Sequence, residues 1–91
     1  MFSMSKKPRL IVICGHEVKV RYKKKMKNLG EFYCDENLIV ITNDDNWREH
    51  LLHEVLHGIL FYSGQSEHLK DQEEAFVRAL ENGLKTLNFV S

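Results

Sequence analysis

The first half of the chain alternates short apolar runs with polar breaks, which is the pattern of strands. Arg9 to Cys14 contains Leu10-Ile11-Val12-Ile13, Gly15-His16 is a turn signal, and Glu17 to Tyr22 alternates Val18 and Val20 with Lys19 and Arg21. Lys23 to Asn28 is a polar connection with Gly30 at its end. A second strand pair follows, Glu31 to Cys34 and Leu38 to Thr42, around a turn at Asp35-Glu36-Asn37. From Trp47 the period becomes helical, through Leu51, Leu52, Val55, Leu56, Ile59 and Leu60, with Asp44, Asp45 or Asn46 available as cap and Gly64 as stop. A polar bend, Gln65-Ser66-Glu67-His68, leads to a second helical pattern from Leu69 to Leu87, with Leu69, Phe76, Val77, Leu80, Leu84 and Leu87 on one face. Four strands followed by two helices predict an α+β domain, a largely antiparallel four-stranded sheet with the helices on one face.

The first helix carries His53-Glu54-Val55-Leu56-His57, an HExxH pattern. Four residues is just over one helical turn, so both imidazoles point the same way and can grip one zinc ion. Glu54 lies at the edge of the same sector and is placed as a general base for an attacking water. His50 shares that sector, and apolar residues cover most of the remaining circumference, as expected of a buried helix with one polar stripe facing a cleft. The bland alternative, core histidines satisfied by hydrogen bonds, must gather three histidines and a glutamate without a shared ligand.

A catalytic zinc site needs a third protein ligand, the fourth position being left for water. Glu73 falls in the middle of the apolar face of the second helix, where an unpaired carboxylate is costly and coordination removes the cost. Glu74 is turned about 100° away. Glu73 is therefore the expected ligand and Glu74 the fallback, Glu74 being better explained as complementing the positive end of the helix dipole.

A chain of 91 residues is one domain, with 9–88 expected as its ordered core and 1–8 as a flexible N-terminus. No apolar run approaches transmembrane length and Met1 to Lys7 lacks the apolar core of a signal peptide, so a cytoplasmic location without membrane association is expected. Cys14 and Cys34 fall in expected strands and in no zinc spacing, which reads as reduced core thiols. Net charge is zero but segregated: residues 1–30 hold nine Lys or Arg against Glu17 alone, and residues 31–91 hold four against twelve acids. A solvated strand face accounts for Lys19 and Arg21 better than nucleic acid does, so nucleic acid is not expected as a partner.

Leu51-Leu52-His53-Glu54-Val55-Leu56-His57, the Glu73-Glu74 pair opening the second helix, and Gly30-Glu31-Phe32 leading into Leu38-Ile39-Val40-Ile41 together resemble a minimal gluzincin, the thermolysin-like class of zinc peptidases. Within that class the chain is most similar to small phage and mobile-element proteins related to the ImmA/IrrE-type metallopeptidases. The resemblance spans residues 9–88, and only HExxH is specific within it. It implies a minimal zincin-like fold, Glu73 or Glu74 as third ligand, and Leu38 to Thr42 as the cleft edge where an extended peptide adds by strand pairing. Against larger gluzincins, the resemblance leads to the expectation that no C-terminal subdomain supplies a transition-state donor, which leaves His50 or His68 for that role; Tyr62 projects away from His53.

The expected function is that of a zinc metalloendopeptidase of narrow specificity. Zn2+ would be held by His53, His57 and Glu73, with Glu54 as catalytic base and a protein or peptide, such as a repressor or other regulator, as substrate. The alternative is a phage or mobile-element regulatory or anti-repressor protein that keeps the zinc site to bind a partner with little turnover.

Overall fold

The computed structural model describes residues 6–88. Most of the expected flexible N-terminus, residues 1–5, lies outside the described residues.

Alternation builds the first hairpin. β1 (Leu10–Ile13) pairs antiparallel with β2 (His16–Lys23) in the register Ile13 to His16. The turn between them is Cys14-Gly15, one residue earlier than expected, with both residues at positive φ (51° and 82°). Cys14 is thus an exposed turn residue rather than a core thiol, and Cys34 is half-buried in a 3-10 turn (Cys34–Glu36) rather than in a strand. Along β2, Val18 and Val20 are buried while Lys19, Arg21 and Lys23 are exposed, as the alternation requires.

β3 (Gly30–Tyr33) and β4 (Leu38–Thr42) form the second hairpin, with Asn37 in the left-handed region closing the turn. β4 then inserts between β2 and β3, giving the order β1-β2-β4-β3, and it pairs in parallel with β2. The sheet is therefore mixed rather than largely antiparallel. The physical reason lies in β4 itself, all five of whose residues are buried. An unbroken apolar strand is most stable with both edges paired, and it cannot sit at a sheet margin.

α1 (Trp47–Tyr62) packs on the inner face of the sheet, where Trp47 and Leu51 join Ile13, Val18, Val20, Ile39 and Ile41 in one core. Gly58 permits the close approach, since a Cβ there would stand 3.0 Å from Ile13 Cδ1. The other side of α1 contributes Leu52, Leu56 and Leu60 to a second core with Val77 of α3 (Glu73–Lys85). α1 is thus the middle layer between sheet and α3, with room for polar groups only along one edge. The expected second helix is divided: a short α2 (Ser66–Leu69) and a 3-10 turn (Lys70–Gln72) precede α3. Lys70, at φ 45° and ψ −116°, breaks the helix and resets its direction, so that α3 begins at Glu73 beside the end of the α1 polar stripe.

Candidate metal centre

Helical spacing puts His53 and His57 on the uncovered edge of α1, their ring centroids 5.0 Å apart. α3 crosses that edge and brings three carboxylates to them. Glu74 Oε1 lies 2.9 Å from His57 Nε2 and 3.3 Å from His53 Nε2. Glu73 Oε2 lies 2.6 Å from His57 Nδ1, and Glu81 Oε1 lies 3.2 Å from His53 Nδ1. Each imidazole is therefore gripped on one nitrogen from behind, and its other nitrogen points at the shared Glu74 oxygen.

Glu73 contacts His57 alone, whereas Glu74, the expected fallback, reaches both histidines. Glu73 is the more enclosed of the two neighbouring glutamates, as its helical face implied, with 20% side-chain exposure against 49% for Glu74. However, its burial is relieved by the His57 Nδ1 contact, and Glu74 is the acid that converges with both histidines. One ligand atom from each of His53, His57 and Glu74 lies within 4.8 Å of the other two.

The chemistry of this donor set fits a cation. With Nδ1–H donated to Glu73 and Glu81, both Nε2 atoms are bare lone pairs facing a carboxylate, and such an arrangement is repulsive unless positive charge sits among them. Protons can supply it, and accordingly His57 is subject to two opposed effects. Desolvation lowers its pKa, but hydrogen bonds to Glu73 and Glu74 and the nearby Glu54 charge outweigh this and raise it above the usual 6.5. Glu74 sits below its usual value: desolvation opposes the shift, but Arg78 and His57 hydrogen bonds prevail. A divalent ion satisfies the same three atoms with no proton needed.

Glu54 is buried, at 7% exposure, and accepts no hydrogen bond among the described residues. Burial pushes its pKa up, and the His57 and His53 charges pull against that. It lies against Gly30, the first residue of β3, where a Cβ would come within 2.9 Å of Oε2. The histidines, Glu54, Gly30 and Glu74 line one open cleft of about 840 Å³.

Of the expected oxyanion donors, His50 lines the cleft, but its Nε2 is held by Asp44 at 3.0 Å, while His68 is exposed in α2 and is not among the cleft residues. Tyr62 is remote, as expected, donating to Asn37 Oδ1 and stacking on His16 at 4.3 Å. Sequence reasoning missed Glu81 and Arg78. Both carry a legible signal, since they follow Glu74 by two turns and one turn on α3, and Arg78 Nε donates to Glu74 Oε2 at 2.9 Å.

The expected cleft edge also changes. β4 is paired on both sides, so Leu38 to Thr42 offers no free edge; β3 is the margin of the sheet, and it borders the cleft at Gly30. No helix among the described residues is long and apolar enough to cross a membrane. Compared with protein-family models, curated proteins and solved structures, the chain has no match.

Proposed function

We propose that this protein is a zinc-dependent metallopeptidase of the HExxH class on a minimal zincin-like fold, with His53, His57 and Glu74 as ligands and Glu54 as general base. The observation that carries the reading is the double hold on each imidazole: a carboxylate on Nδ1 of both histidines, and Nε2 of both directed at one Glu74 oxygen, beside a buried and otherwise unpartnered glutamate. Structural histidine pairs need no such convergence.

A zinc ion held there would polarise a peptide carbonyl and make water nucleophilic near neutral pH. Glu54 takes the proton from the attacking water and passes it to the leaving amine, a role suited to a carboxylate whose pKa burial has raised. Glu73 and Glu81 fix the tautomer and ring orientation of His57 and His53, and Arg78 occupies the second oxygen of Glu74 so that the first faces the histidines.

An extended substrate has a place to lie. Thr42 N–H donates to Leu29 O at 2.9 Å, which together with the register Glu31 to Val40 makes positions 29 and 31 the ladder-bonded ones. The backbone groups of Gly30 and Phe32 therefore face the free margin, and a peptide adding there runs directly past Glu54. We read the substrate as a protein segment presented in extended form, a repressor or other regulator in the cytoplasm. Cys14 and Cys34 are free thiols, which suits that compartment.

The test is metal analysis together with Glu54→Gln. One equivalent of zinc in both proteins, with peptide hydrolysis lost only in the variant, is the expected result. Zinc content well below one equivalent overturns the reading, and zinc without hydrolysis in either protein leaves the partner-binding alternative in its place.

A further inference from the structure

The basic half of the chain forms a surface that the metal centre does not use. Three hydrogen bonds to backbone carbonyls assemble it, one from a side chain and two from backbone amides: Tyr22 Oη donates to Pro8 O at 2.5 Å, Val20 N to Arg9 O at 3.0 Å, and Asn43 N to Lys23 O at 2.7 Å. They draw Lys7 and Arg9 from the segment before β1, Arg21 and Lys23 from β2, and Asn43 from the end of β4 around one groove of about 570 Å³. Sequence alternation alone accounts for Arg21 and Lys23 as a wet strand face, but not for the arrival of Lys7 and Arg9 beside them.

Among the described residues none of these four cations has a carboxylate partner, whereas the cations of the C-terminal half that form ion pairs, Arg78 and Lys85, meet Glu74, Glu49 and Glu81. The Lys7 ammonium donates to Asn43 Oδ1 and lies 5.9 Å over the Tyr22 ring, so it is oriented without being neutralised. Lys19 extends the row on β2, and Lys24 and Lys25 continue it along the exposed connection. Glu17 and Glu31 are the acids of the neighbouring strand positions, and neither pairs with the four cations. Clustered positive charge of this kind is self-repulsive in the free protein and is relieved by a polyanion.

We propose that this groove binds the phosphate backbone of single-stranded nucleic acid without sequence preference. Outward residues of a strand recur every two positions, about 6.8 Å, so Lys19, Arg21 and Lys23 offer cations at a step flexible side chains can match to successive phosphates of one strand. A shallow groove with Asn43 and the Tyr22 edge provides few base-reading groups, which favours backbone contact over sequence recognition. The surface is independent of the metal reading, because it involves no residue of α1 or α3.

The experiment measures binding of a labelled single-stranded DNA of about 12 nucleotides by the full chain across a salt series. Four backbone contacts predict a slope of log K against log salt of about −3, and Arg21→Ala/Lys23→Ala should halve that slope and weaken binding about ten-fold or more at low salt. Arg21→Lys should retain most of the affinity, and a circular-dichroism melt of each variant verifies the fold. Absence of binding at about 50 mM salt, a slope unchanged in the double variant, or equal competition by polyglutamate of the same length would each overturn the proposal.

Discussion

Gly30 touches Glu54 so closely that a methyl group on its Cα would stand 2.9 Å from Oε2 and 3.0 Å from Cγ of the glutamate. The edge strand and Glu54 are therefore packed as one unit, and the side chain missing at position 30 is the space the carboxylate occupies. Gly30→Ala should push Glu54 aside rather than disrupt the sheet, because the clashing atoms belong to the end of a flexible side chain. The expected outcome is a fall in hydrolysis of about 10²-fold, the penalty for misplacing a catalytic group by about 1 Å, with zinc content and melting temperature nearly unchanged. An alanine variant of full activity would show that the position of Glu54 is not set by β3.

The three carboxylates of α3 should separate by role. Glu74→Ala removes the oxygen shared by both histidines and should cost most of the zinc affinity, while Glu73→Gln and Glu81→Gln disturb only the outer nitrogens and should each weaken binding about 10- to 100-fold. Competition titration with a chelator distinguishes the cases. A Glu73 variant that loses zinc while the Glu74 variant keeps it would reverse the assignment made from the geometry.

Most of the elements were legible from period alone, because alternation at Val18 and Val20 and the 3.6-residue spacing of Leu51, Leu52, Leu56 and Leu60 report directly on a half-buried strand and a buried helix. Strand order was not, since periodicity says which face is buried and nothing about which edge is paired. The sign was nevertheless present in Leu38-Ile39-Val40-Ile41, whose unbroken apolar run marks a strand enclosed on all sides. The spacing of HExxH was enough to put His53, Glu54 and His57 on one cleft-facing edge of α1. The approach of Glu74 to both histidines was not legible, because the projection assumed one continuous helix from Leu69, whereas the turn at Lys70 makes α3 a separate element that crosses α1 with Glu74 toward them. Burial and convergence on both histidines are separate properties here: the more enclosed Glu73 contacts His57 Nδ1 alone, while the more exposed Glu74 faces both imidazoles.

Stability of the metal-free protein should peak at mildly acidic pH. His57 has a folded-state pKa above its usual 6.5, so its contribution is fully present below 6.5 and is lost as pH rises through the folded value. Glu54, also raised, acts in the same direction from its usual 4.5 upward, while the lowered Glu74 contributes above 4.5 and loses that contribution as pH falls through its folded value. Zinc requires deprotonated ligands, so the melting-temperature gain on adding it should grow between about pH 6 and 8 while the metal-free melting temperature falls. Parallel pH profiles for the two forms would argue against a site built on these groups.

The Cys14-Gly15 turn places two successive residues at positive φ, the signature of a type I′ hairpin, for which Asn-Gly is the favoured pair. Cysteine has no side-chain oxygen to support that backbone, and it is exposed to oxidation there. Cys14→Asn should stabilise the fold by about 0.5–1 kcal/mol, seen as a rise of about 2–6 °C in melting temperature. A lower melting temperature would mean that the thiol makes a contribution the turn geometry does not account for.

Hydrogen exchange can examine the β3 margin without knowledge of the substrate. Positions 29 and 31 belong to the ladder with β4, so the Glu31 amide should be protected, whereas the amides of Gly30 and Phe32 face outward and should exchange with little protection. A peptide that pairs with this margin accepts hydrogen bonds from those two amides, so adding a bound peptidomimetic should slow exchange at 30 and 32 and leave 31 as it was. Addition of a strand elsewhere would protect other amides, and uniform protection along β3 in the free protein would mean that its outer edge is already covered. An exchange pattern that alternates before binding and becomes continuous after it is what distinguishes edge pairing from a peptide held by side chains alone.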